Sequence, residues 1–282
     1  MVNKTLPSAF ATEPYFCEAF KQYASLTDTI DEILESWYQE GDVHIHSFKT
    51  CISEITNRIE EDGAQKFIKG LEPKYHNREH TKEVCISLFL LLNVEEHQRI
   101  TWSQIEQIQW PQFNLHEKFL LLIAGLAHDF LHTGNVNQKD AELEMRSVEA
   151  IRETVLKYLT VSDMNIISTL ILATEFKKVQ AIHFSIQKNH DNKPISFIER
   201  AKIILTEADV CASVLPLYGE VLAKKLAEEW KRAGLKNSEQ LILKSGRRDF
   251  LKQVSFSSPH AKSLGLNKLV EEQLLYLDKE LI

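Results

Sequence analysis

An all-α fold, a single compact multi-helix domain, is predicted by three observations. Apolar residues recur at helical spacing along much of the chain, and convincing period-2 strands flanked by turn residues are missing. The 282 residues also include only nine glycines and seven prolines, with no Pro/Gly/Ser linker to divide them. With 44% apolar residues, the composition excludes disorder and collagen-like arrays. A chain of about 300 residues buries roughly three-quarters of its unfolded surface, so the core needs no covalent staple.

Taken in order, residues 1–57 carry no assignable motif and read as a helical cover, part of the same domain as a core at 58–282. Residues 115–128 place Leu115, Phe119, Leu122, Ile123 and Leu126 on one stripe, the pattern of a packed helix. A helix over 162–176 is expected to start at Ser162 as N-cap and continue through Ile166, Ile167, Leu170 and Ile171. Ser196 and Glu199, just after Pro194, form a capping-box pattern that opens a helix over 196–214. The segment 219–233 stops at Gly234, with Lys231 and Arg232 in the last turn, where cations suit the helix dipole. Loops are expected near 41–47, 72–78, 132–140, 187–195 and 244–247.

Charge narrows the partners. A formal charge of −7 and a pI near 5.9 argue against polymeric DNA or RNA, whose binders need a basic footprint. One small anion stays open, because a local site can oppose the global field. Cys17, Cys51, Cys85 and Cys211 are scattered and read as reduced, packed thiols. The apolar stretches at 119–127 and 166–173 are far shorter than the roughly 20 residues that span a bilayer, and no signal-peptide pattern opens the chain. A cytoplasmic location without membrane attachment is the resulting expectation.

Chemistry concentrates in two histidine clusters, 75–80 and 128–134. In each, two histidines stand four residues apart (His76 and His80, His128 and His132), the spacing that shares a helix face. His128 and Asp129 end an otherwise apolar helix, where an imidazole and a carboxylate are costly unless paired or bound to a cation. His190-Asp191 lies in a polar run, reads as a solvated turn and shows that the dipeptide alone means little. Asp209 sits inside an apolar helix and calls for a partner, whereas neighbouring Glu207 reads as a surface charge. A histidine of the first cluster with His128, Asp129 and Asp209 makes a four-ligand set suited to zinc or a similar divalent ion, with Asp129 able to bridge to a second one.

These residues, in this order, resemble the HD-domain metal-dependent phosphohydrolases, and their surroundings resemble class I cyclic nucleotide phosphodiesterases. Tyr75-His76-Asn77-x-x-His80-x-x-x-Val84 is similar to that family's YHNxxHAxDV signature. His128-Asp129-x-x-His132-x-Gly134-x-x-Asn137 is similar to HDxxHPGxxN, with Thr133 in place of proline. Leu172-Ala173-Thr174-Glu175 resembles the LATD segment, Glu228-Glu229-Trp230 the EEF helix, and Gln253-Val254-x-Phe256 the base-binding SQVGF segment. The resemblance runs from about residue 58 to 262.

It implies hydrolysis of a 3′,5′-cyclic nucleotide, cAMP or cGMP, to the 5′-monophosphate by a two-metal-activated hydroxide. His80, His128, Asp129 and Asp209 would hold zinc, and Asp129 would bridge to magnesium or manganese, with His132 and Thr174 holding that ion's waters. His76 would be the general acid, and Asn77 would cap the following helix. Tyr75, Gln253, Phe256 and Leu226 would face the substrate, the base lying between Phe256 and Leu226 with Gln253 on its edge. Where the family often has a base-reading Asn three residues after the last metal aspartate, this chain has Ala212, which relaxes base discrimination. The family's outer glutamate is placed at Glu149, with Glu142 and Glu144 as alternatives. Two other readings compete: an HD-type phosphohydrolase acting on another nucleotide or dinucleotide, and a non-catalytic nucleotide-binding module.

Overall fold

A computed structural model describes residues 12–37, 43–98, 101–187 and 193–281. Those residues form fourteen α-helices and no strand. The first three, α1 (Thr12–Gln22), α2 (Leu26–Trp37) and α3 (Val43–Ile68), precede the histidine clusters. The boundary drawn from sequence between 57 and 58 runs through the middle of α3, so cover and core share a helix. Then come α4 (Arg78–Gln98), α5 (Gln104–Gln109), α6 (Leu115–Ala127), α7 (Glu142–Tyr158), α8 (Val161–Ile171) and α9 (Phe176–Gln187). The series closes with α10 (Phe197–Val214), α11 (Pro216–Arg232), α12 (Lys244–Gln253), α13 (Pro259–Ser263) and α14 (Leu266–Glu280).

The centre is built by helices that are apolar all round. Every residue of α6 from Lys118 to Ala127 is buried, as expected of a helix with no polar face. It packs against α4, α8 and α10, and α4 lies along α10. The outer helices cover the trio of α4, α6 and α10, with α2 against α4, α3 against α4 and α6, and α11 against α10. At its N-terminus α11 is capped from a distance: the amides of Leu217 and Tyr218 both donate to Glu13 Oε1 of α1 at 2.8 Å.

Start signals are read well by local chemistry. Ser196 accepts from Glu199 N while the Glu199 carboxylate takes Ser196 N, the reciprocal box that the sequence predicts. Asn114 and Glu117 do the same for α6. The expected helix at 162–176 differs in both limits. Thr160, not Ser162, is the N-cap, because its hydroxyl accepts from Asp163 N and the Asp163 carboxylate returns to Thr160 N. The helix stops at Ile171, and a short turn leads into α9. Two expected loops are partly helical: 43–47 starts α3, and 244–247 starts α12 after a 3-10 turn at Ser238–Ile242. His190-Asp191 lies outside the described residues. No helix among the described residues is long and apolar enough to cross a membrane. All four cysteines are free, and burial pushes the Cys51 thiol up to about 12.

Glu207 is the largest departure from the sequence reading. It is fully buried on the face of α10 turned towards the 254–258 segment. Oε1 accepts from Ser257 N at 2.6 Å and Ser258 N at 2.8 Å, and Oε2 accepts from Ser258 Oγ at 2.5 Å. Its carboxyl thereby satisfies the amides that open α13. Glu207→Ala is expected to lower stability by about 3 kcal/mol, since the buried Ser258 amide and hydroxyl and the part-buried Ser257 amide lose their acceptor. Urea unfolding followed by circular dichroism measures this; a change within about 0.5 kcal/mol, typical of a surface substitution, would contradict the role.

Candidate metal centre and its flanking histidines

The buried trio brings its polar residues to one place. His80 comes from the first turn of α4, His128 and Asp129 from the end of α6, and Asp209 from the middle of α10. Asn77 caps α4 as predicted, its Oδ1 accepting from Glu79 N and His80 N, which fixes the turn that carries His80. His80 Nε2 lies 3.5 Å from Asp129 Oδ2 and 3.2 Å from Asp209 Oδ1. His128 Nε2 lies 3.2 Å from Asp129 Oδ2 and 3.4 Å from Asp209 Oδ1.

That spacing fits one divalent ion. Donors bound at about 2.0–2.2 Å stand roughly 3–3.5 Å apart around the ion they share. A second observation agrees. His128 Nδ1 donates to Gly125 O at 2.7 Å, which leaves Nε2 as the nitrogen facing the carboxylates, buried and without a hydrogen-bond partner. A lone pair aimed at two carboxylates is unfavourable unless a cation lies between them. With protons as the only cations, burial pulls His80 down, but Asp129 and Asp209 outweigh it and raise it to about 9. Burial likewise opposes ionisation of Asp209, yet His128 and His80 draw it down to about 2.

Beside this set stands a second group: His76, His132 and Glu229. The four-residue spacing does not put His128 and His132 on one helix face, because α6 ends at Ala127. The chain turns through Leu131, whose φ of 64° is unusual for a residue with a branched side chain, and this swings His132 back. The rings of His76 and His132 lie with centroids 3.8 Å apart. Burial, followed by the charge of His76, holds His132 down at about 3, so it is neutral; its Nδ1 accepts from Gly134 N at 3.0 Å. Gly134 has φ of 76°, and a Cβ there would meet the Glu229 side chain at 2.9 Å, so glycine is required twice over.

Glu229 is the residue that sequence reasoning left without a role. It lies buried on α11 in a Lys- and Glu-rich run that resembles any solvated face. Its Oε1 meets His76 Nδ1 at 2.5 Å, while Oε2 accepts from Tyr75 N at 2.7 Å and His76 N at 3.1 Å. Burial opposes its charge, but the His76 bond holds its carboxyl below the usual value. Tyr75 is part of the scaffold: its hydroxyl pairs with Ser213 Oγ at 2.7 Å, and its ring lies against His80.

Other expected site residues fall elsewhere. Glu149 is exposed and ion-paired with Arg152 at 3.0 Å, because its position on α7 faces solvent. The alternative Glu144 is half-buried, accepts from Asn137 Nδ2 at 2.9 Å, and feels the charge of Asp129. Thr174 spends its hydroxyl on Ile171 O at 2.8 Å, at the end of α8. Gln253 is exposed and bonds back to Asp249 O at 3.1 Å, and Phe256 is packed in the core. Leu226 stands half-buried one turn before Glu229. A shallow open cleft borders His76, Asp129 and His132, but neither Gln253 nor Phe256 lines it.

Comparison with solved structures identifies the architecture. The phosphodiesterase domain of the RhoPDE fusion protein from the choanoflagellate Salpingoeca rosetta matches with a TM-score of 0.59 at 14% identity, over 97% of this chain and 92% of that one. A second structure of the phosphodiesterase domain of the Salpingoeca rosetta rhodopsin phosphodiesterase matches with a TM-score of 0.54 at 14% identity, over 97% and 88%. The fold is that of a phosphodiesterase domain. No family model and no curated protein matches the chain. Within the phosphodiesterase fold, the ends of α4 and α6 and the middle of α10 bring four donors together, and α11 supplies the acid behind His76.

Proposed function

We propose that this chain hydrolyses a 3′,5′-cyclic nucleotide to the 5′-nucleoside monophosphate. The observation that carries the reading is a histidine held by a buried glutamate, His76 on Glu229, beside the His80, His128, Asp129 and Asp209 donor set in a phosphodiesterase fold. In this reading those four residues hold zinc, and Asp129 also faces a second ion, magnesium or manganese. Bound there, paired divalent ions supply nucleophilic water at neutral pH and offset charge on the phosphate oxygens.

The remaining work falls to side chains. Glu229 accepts from His76 Nδ1, which fixes the ring and leaves Nε2 to carry a proton towards the leaving 3′-oxygen. Burial keeps His132 neutral beside it, so a protonated His76 does not face a second cation. Glu144, near Asp129, is the acid best placed to act from the outside in place of Glu149.

The test is a turnover panel with added zinc and magnesium or manganese, comprising cAMP, cGMP, cyclic pyrimidine nucleotides, cyclic dinucleotides and phosphomonoesters. Release of 5′-monophosphates from the 3′,5′-cyclic nucleotides is the expected result. One observation favours a second reading, an HD-type phosphohydrolase with another nucleotide substrate: Gln253 is turned to solvent, so the expected base-reading pair is not assembled. Turnover confined to the dinucleotides or monoesters would select that alternative. No turnover by a metal-loaded sample would leave the binding module.

A further inference from the structure

Two buried polar atoms one helical turn apart lack hydrogen-bond partners: His80 Nδ1 and Glu83 Oε2. Both residues belong to α4, and the i, i+3 spacing stacks them on one face. A buried carboxylate oxygen and a buried ring nitrogen are each costly when unpaired. The rest of the Glu83 carboxylate is engaged, since Oε1 accepts from the Tyr218 hydroxyl on α11. Tyr218 is itself anchored, because its amide belongs to the α11 N-terminus that Glu13 caps.

A histidine that gives Nε2 to a metal carries its proton on Nδ1, and that proton needs an acceptor. We infer that Glu83 is a positioning residue for His80: its free Oε2 accepts the Nδ1 proton when Nε2 takes part in holding a divalent ion. The inference rests on the metal-holding role proposed for His80. Tyr218 keeps the other oxygen in place, so the carboxylate is presented rather than free to rotate. The line of contacts runs from Glu13 through α11 and Tyr218 to Glu83.

Zinc affinity tests this without reference to turnover, by competition against a chromogenic chelator. Glu83→Gln, which keeps size but weakens the acceptor, is expected to bind zinc about 10–100-fold more weakly than the unaltered chain. His80→Ala is expected to lose stoichiometric zinc altogether. If His80→Ala loses zinc while Glu83→Gln binds as tightly as the unaltered chain, the positioning role is overturned and the metal reading stands. If His80→Ala keeps full affinity, the metal reading fails and takes the inference with it. A second measurement needs no folded variant. In the zinc-loaded unaltered chain, long-range proton–nitrogen spectra of the histidine rings should show a His80 Nδ1 proton protected from exchange; a ring without that proton overturns the inference.

Discussion

Asp129→Ala is expected to lose bound metal and turnover together. Asp129 Oδ2 lies within 3.5 Å of both His80 Nε2 and His128 Nε2, so its removal takes away the one carboxylate that faces both rings from the end of α6. What remains is His80, His128 and a single acid, Asp209, too little charge to balance a dication in a buried setting. Elemental analysis after dialysis should find less than about a tenth of the metal retained by the unaltered chain. Turnover should fall by about a thousandfold, equivalent to about 4 kcal/mol of barrier. The fold should survive, because Asp129 caps nothing that holds the core: α6 ends two residues earlier, and its own packing is apolar. Retention of metal at full stoichiometry would remove Asp129 from the ligand set.

The same geometry shows which parts of the molecule a reader of the sequence could reach. Helix starts were legible at Ser196 and Asn77 because capping is a local bargain between residues two or three apart. The clustered histidines and aspartates were legible because ionisable residues at the ends and middle of apolar helices are expensive, and so stand out. Glu229 and Glu207 were not. Glu229 lies in a charged run and Glu207 stands two residues from Asp209 on the same helix, and only packing reveals that α11 turns Glu229 inward while α10 turns Glu207 towards Ser258. Glu149 and Glu144 differ by less than two helical turns, and no local rule says which faces Asp129. Gln253 and Phe256 matched a motif by spacing, yet Gln253 ends a helix and bonds within it. Spacing along the chain carries direction only when the backbone between is known.

Glu229→Gln separates proton delivery from metal binding. The glutamate touches none of the four donors of the candidate metal centre; its contacts are His76 Nδ1 and the amides of Tyr75 and His76. An amide keeps the size but has one oxygen for the three donors that the carboxylate serves, and its NH₂ would face two backbone N–H groups. It also removes the negative charge beside Nδ1 of the ring that is to give a proton to a leaving oxygen. His76→Ala deletes the donor outright, and a general acid contributes about 10²–10⁴-fold. Glu229→Gln is expected to lose about 10–100-fold, since the ring remains but loses its orienting charge. Both variants should bind metal as the unaltered chain does, and both should recover when the substrate carries a leaving group that departs without protonation, such as a nitrophenolate ester. Metal lost with Glu229→Gln would make the carboxylate part of an ion site instead. Equal deficits on natural and activated substrates would show that His76 and Glu229 position substrate, because only a proton donor becomes dispensable when the leaving group needs no proton.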